Sequence, residues 1–136
     1  MNSWLIYSLL ALLMWGFWAL FPKFSIKYID PKSSLIWEIV GVILVGIVIL
    51  FMLNFKVAFH PTGMFFAMLT GVAGLLGALF FLYALSQGTA IRVIMITALY
   101  PLVAIILSFL ILHETVTLKQ GIGILFGLVS IVLLAL

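Results

Sequence analysis

The sequence predicts an all-α integral membrane protein with five transmembrane helices, and three observations carry that prediction. Hydrophobic residues fill 68% of the 136 positions, charged residues only 7%, and the mean hydropathy is +1.51. A soluble domain carries about 25% charged residues, so this chain has no means of covering its apolar surface in water. The apolar residues also fall into five runs, at 4–21, 34–53, 63–85, 91–112 and 118–136. Each is close to the roughly 20 residues that a helix needs to cross a bilayer. Finally, the runs are continuous and lack the apolar–polar alternation of barrel strands.

The first run, Trp4 to Phe21, has no basic residue before it, and its end, "WGFWALFPK", offers no small-residue cleavage site. It therefore reads as a retained helix rather than a secretory signal. Trp18 at its end, like Trp37 in the second run, has the placement of a headgroup-belt aromatic. Trp15 lies deeper. The break that follows, "PKFSIKYIDPKS", combines prolines, serines and lysines and ends one span before the next begins.

The second run, "SSLIWEIVGVILVGIVILF", contains Glu38, the one acid within any of the five runs. A carboxylate in a membrane span is costly and is a functional candidate by default. Glu38 lies about 7 Å along its helix, at a depth similar to that of Arg92 at the start of the fourth run and Lys23 at the end of the first. Two readings stay open. Glu38 is either half of an interfacial ion pair with Arg92 or Lys23, or a proton or cation site in a transport pathway.

In the third run Ala67, Gly71, Gly74 and Ala78 form a stripe of small residues, which lets helix backbones approach closely. Tyr83 stands near its end. The fourth run carries Pro101 in mid-span, within "TALYPLVAIILSFLI". Its ring removes one helical N–H and frees the carbonyl of Thr97, which must find another partner or a water-filled cavity. Tyr100, beside the kink, brings a hydroxyl to mid-depth. In the fifth run Gly123 and Gly127 make a GxxxG pair suited to helix packing or a subunit interface.

Several chemistries are excluded. With no cysteine there are no disulfides, thiolate metal sites or thiol nucleophiles. "GIGILFG" at 121–127 has the wrong glycine spacing for a dinucleotide loop and lies in an apolar run. "HET" at 113–115 is not a zinc motif, and no Ser/His/acid set can be assembled. The chain is expected to be no enzyme and to hold no metal or cofactor. The net charge of +3 comes from cations at the ends of the runs, which anchor helices to headgroups and do not bind nucleic acid. Lys23, Lys27, Lys32 and Arg92 fall on one side of the membrane, Lys56 and Lys119 on the other. This weak positive-inside bias favours an outside N-terminus and is compatible with insertion both ways.

From Tyr83 onward, the stretch "YALSQGTAIRVIMITALYPLVAIILSFLILHETVTLKQGIGILFGLVSIVLL" resembles the end of an EamA-type domain of the drug/metabolite transporter superfamily. The matching pieces are Tyr83-Ala84-Leu85 with Gly88, Thr97 to Leu102, Glu114 in the loop, and the Gly-rich last run. Trp15-Gly16 followed by Lys23 fits as well. The resemblance covers the whole chain, 1–136, as a single EamA-type half-transporter unit. One departure is His113, where such proteins often have Gly before the loop glutamate. Typical members carry two such domains, the second inverted relative to the first. The resemblance therefore implies that one copy works as a homodimer, antiparallel by analogy.

What the resemblance implies is a small secondary transporter or exporter of organic metabolites in the cell (inner) membrane, working by alternating access on a small organic solute. Trp15, Tyr83, Thr97 and Tyr100 are the expected cavity residues, with Glu38 and Arg92 near its mouth. The related small multidrug-resistance proteins place their coupling carboxylate in the first helix, where this chain has no acid, so Glu38 does not inherit that role. The competing expectations are a non-transporting scaffold or accessory subunit of a heteromeric complex, and a flippase for a lipid-linked substrate.

Overall fold

In a computed structural model, which describes residues 3–135, six helices follow one another: α1 Ser3–Ser25, α2 Pro31–Met52, α3 Pro61–Gln87, α4 Ala90–Thr97, α5 Tyr100–Ile111 and α6 Leu118–Ala135. No strand occurs among the described residues. This is an all-α membrane fold. A bilayer offers the backbone no hydrogen-bonding partner, so a spanning segment must satisfy its own N–H and C=O groups, and a helix does so. α1, α2, α3 and the segment Ala90–Ile111 are each long and apolar enough to span a bilayer, while the apolar part of the last helix, Leu118–Leu133, is shorter.

Local chemistry explains where the helices begin and end. Asp30 caps α2: its carboxylate accepts the backbone N–H groups of Lys32 at 3.0 Å and Ser33 at 3.1 Å, and also the Ser33 hydroxyl. Pro31 follows at the first helical position, where a missing N–H costs nothing. α3 begins in a similar way, with Pro61 first and the His60 ring nitrogen accepting the Gly63 N–H at 3.3 Å. Ahead of α6 a capping box forms, in which Gln120 accepts from the Thr117 backbone and hydroxyl, and Thr117 accepts the Gln120 N–H. α1 runs beyond the expected end at Phe21. Pro22 lies inside it and is buried, and its carbonyl accepts the Ile26 N–H at 3.0 Å, so the helical turn continues past the ring.

The Asp30 cap gives a pH prediction. Hydrogen bonds from the Ser33 hydroxyl, then from the Ser33 and Lys32 N–H groups, hold this exposed carboxyl below the ordinary aspartate range. Because its folded pKa is the lower one, the cap's contribution is complete above that range and is lost as pH falls through the folded value. Asn caps a helix equally well without titrating. Thermal unfolding in detergent is expected to show an acid-side loss of stability that Asp30→Asn flattens; identical acid limbs for both proteins contradict this account.

Two compact units divide the chain, one ending at Gln87 and the other starting at Gly88. In the first, α3 packs against both α1 and α2. Its buried side chains gather at one end, where α1 finishes, α2 starts and α3 finishes: Pro22, Ser34, Ala78, Phe81, Leu82 and Leu85. Ala78, Leu82 and Leu85 recur at helical spacing along one stripe of α3. Polar links tie the same end together. The Ser25 and Ser34 hydroxyls lie 2.7 Å apart, and Lys23 Nζ donates to the Leu85 carbonyl at 2.7 Å, one of the last carbonyls of α3. Of the small-residue stripe on α3, only Ala78 is buried. A side chain at Gly71 or Gly74 would meet nothing within 4 Å.

In the second unit α4 packs against α6. The fourth apolar run is two helices here, interrupted at Ala98 and Leu99. Pro101 is the second residue of α5, and the chain bridges the break with tight turns, Leu99 N–H to Ile96 O and Leu102 N–H to Leu99 O. His113, just beyond α5, has φ +53°, in the left-handed region that favours glycine. That is the physical sense of the glycine EamA-type proteins often carry there, and histidine is among the residues that tolerate it.

Candidate functional site

The site is built around Glu38. From the Asp30 cap, α2 carries Ser34, Glu38, Gly41, Val42, Val45, Gly46 and Ile49 along the side facing α1, at the three- and four-residue spacing of one helix face. α1 contributes Trp18, Phe21, Pro22 and Ser25. Between them lies an open groove of about 640 Å³. Its walls are graded. Ser25, Ser34 and Glu38 make one end polar, whereas Val42, Val45 and Ile49 make the other purely apolar. Gly41 and Gly46 keep the apolar end wide, since a Cβ at either would meet nothing within 4 Å.

Glu38 is half-buried and is the charged side chain among the lining residues. The Trp18 indole N–H donates to its Oε1 at 2.8 Å. The indole in turn stacks on Phe81, with ring centroids 5.5 Å apart and planes 16° from parallel. Phe81 belongs to the buried end of α3. The carboxylate is therefore oriented by a neutral donor that is itself fixed against the core, a stronger constraint than a long flexible cation would supply. Lys23, on the same helix as Trp18, is directed to the Leu85 carbonyl instead.

The sequence reading set Trp18 and Trp37 in the headgroup belt. The structure adds a role for both: Trp18 holds Glu38, and Trp37 lines the groove beside it. A signal for the first was present. Trp18 and Glu38 stand at matching distances from the turn joining α1 to α2, so antiparallel helices bring them level. Ser25, Ser34 and Phe81 carried no such signal, because their value depends on which helix faces meet.

The remaining predicted residues are placed as follows. Trp15 lies one turn before Trp18, 60% exposed and outside the groove lining, and Tyr83 is half-buried on α3. Thr97 ends α4, its hydroxyl donating to the Val93 and Ile94 carbonyls at 2.9 and 3.1 Å. Tyr100 opens α5 and is 59% exposed. Arg92, Thr97, Tyr100 and Pro101 belong to the unit beginning at Gly88; Trp15, Lys23, Glu38 and Tyr83 belong to the other. Gly123 and Gly127 on α6 have open space where a Cβ would stand. A second groove, of about 540 Å³, lies beside Gly123 and includes Glu114, Ser108 and Gln120.

A family model, that of the EamA-like transporter family, matches residues 2–136. The chain belongs to this family. It is also 30% identical, over 100% of its own length and 98% of the relative's, to an uncharacterized protein of Methanocaldococcus jannaschii. No solved structure matches it. EamA-like proteins are membrane transporters of the drug/metabolite superfamily, so the chain is a multi-pass membrane protein whose family moves solutes rather than transforming them. Among the described residues no group of histidine, aspartate and glutamate is placed to hold a metal ion.

Proposed function

We propose that the protein is a small secondary transporter of organic solutes in the cell membrane. It works as an antiparallel homodimer by alternating access, with the α1/α2 groove around Glu38 as part of the solute path. The observation that carries this reading is an ionisable side chain within a membrane span, oriented by Trp18 at the polar end of a groove, in a chain of a transporter family. The break at Ala98–Leu99 supports it, because interrupted helices are where transporters place solute sites and hinges. Trp15, Tyr83, Thr97 and Tyr100 complete the cavity in the dimer, Arg92 lies near its mouth, and Gly123 and Gly127 supply close packing between helices.

The test uses the absence of native cysteine. Single cysteines replace Ser3 or Ser33, one at each end of the first unit's helices, and intact cells are labelled with a membrane-impermeant maleimide. About half-labelling at both positions is the expected result for dual insertion. Full labelling at Ser3 with none at Ser33 removes the antiparallel homodimer and leaves a heteromeric accessory subunit as the better account. Purified protein in liposomes is then screened for uptake of labelled amines, carboxylates, sugars and nucleosides; no uptake of any class contradicts the transport reading itself.

A further inference from the structure

The grading of the α1/α2 groove says what kind of solute it takes. At the polar end, Glu38 supplies a negative charge with one oxygen engaged by Trp18. Among the described residues no protein donor engages Oε2, which is available to a ligand. Trp18, Trp37 and Phe21 line the groove with Glu38; the Trp18 indole turns its N–H edge to the carboxylate and lays one face on Phe81. A carboxylate in an aromatic-lined groove attracts a cation whose charge is spread over methyl or methylene groups, such as a substituted ammonium. A carboxylate or phosphate would meet a like charge there. Lys23 on α1 donates to the Leu85 carbonyl and is not a lining residue.

At the other end the α2 wall continues without a polar side chain through Val42, Val45 and Ile49. From Glu38 to Ile49 this wall is about 16 Å long at 1.5 Å per residue. A compact polar metabolite would leave that length unused, whereas an apolar chain would fill it. The glycines at 41 and 46 leave room for the chain beside the helix backbone. We infer that the groove binds a single-chain amphiphile with a substituted-ammonium head on Glu38, between Trp18 and Trp37, and its apolar chain along Val42, Val45 and Ile49. This rests on the transport reading for its biological use, but not for the binding itself.

The experiment uses the full chain in nanodiscs of phosphatidylglycerol, which carries no ammonium group, with empty nanodiscs as the background. Octyltrimethylammonium is titrated by calorimetry and by quenching of tryptophan fluorescence. Octyl sulfate shares its tail and tetramethylammonium its head. The expected result is saturable binding of octyltrimethylammonium at least about tenfold tighter than of either comparison compound, as charge and chain act together. Glu38→Gln should lose about tenfold of it. Val45→Phe should weaken the octyl compound and leave tetramethylammonium unchanged, a split that general misfolding does not produce. Equal binding of octyl sulfate, or undiminished binding to Glu38→Gln, overturns the inference. Exchanging half of the lipid for phosphatidylethanolamine should leave binding unchanged; competition by that lipid overturns the choice of a single-chain occupant. Binding without uptake in liposomes contradicts the transport reading alone. Uptake of some other solute without amphiphile binding contradicts the present inference alone.

Discussion

Glu38→Gln is expected to cut uptake of the ammonium probe into proteoliposomes by at least about tenfold, a change that corresponds to about 1.4 kcal/mol. The substitution is close to isosteric, and its amide oxygen can still accept the Trp18 N–H, so the link from α1 through Trp18 to Phe81 survives. Only the charge is removed. The variant should therefore match the parent in detergent stability and differ in transport. Glu114→Gln is the control, since that acid lies in the loop after α5 and not in a membrane span. Uptake that survives Glu38→Gln, or falls equally with Glu114→Gln, takes Glu38 out of the solute path.

The largest stability effect is expected at the buried end of α3. Leu82 is 1% exposed, between Phe81 and Leu85 on the stripe that α1 and α2 cover. Leu82→Ala removes three carbon atoms from a filled site and leaves a cavity, at a cost of about 2–5 kcal/mol. Leu76, on the same helix, is 51% exposed, and Leu76→Ala should be close to neutral. Thermal unfolding in one detergent compares the pair. Equal losses would show that the packed end of the first unit is not where these contacts place it.

The contrast between these two leucines also marks what a reader of the sequence alone can know. Both lie in the same apolar run, and nothing in "LLGALFFLYAL" says that one is core and the other faces lipid. In water, burial would leave an amphipathic pattern. In a bilayer the outward face is as apolar as the inward one, so the pattern is erased. The stripe from Ala67 to Ala78 illustrates the same loss of information, because its spacing is regular and yet only Ala78 is buried.

Polar groups were more legible because each is costly in hydrocarbon and must be accounted for. Glu38 stood out for that reason; Trp18 could be matched to it in depth, but not in which way its side chain faces. An ion pair with Lys23 or Arg92 was one of the two readings that depth left open, beside a proton or cation site. The structure gives Glu38 the indole N–H of Trp18, and gives Lys23 a carbonyl of α3. Depth along a helix can be counted from a sequence, whereas rotation about the helix axis cannot.

The division follows from that distinction. Composition and the length of the apolar runs determined by themselves that this chain is an all-helical membrane protein. The helix starts at Asp30-Pro31, His60-Pro61 and Thr117 to Gln120 rest on strictly local bonds, and at the first two the helix begins before the apolar run, which opens at 34 and 63. Which faces meet was left to the tertiary structure: Trp18 against Phe81, Ser25 against Ser34, and α1 against α2 around an open groove. Local bonds depend on neighbours a few residues away and can be read in order. Contacts between helices in a uniformly apolar medium depend on rotations that only packing selects.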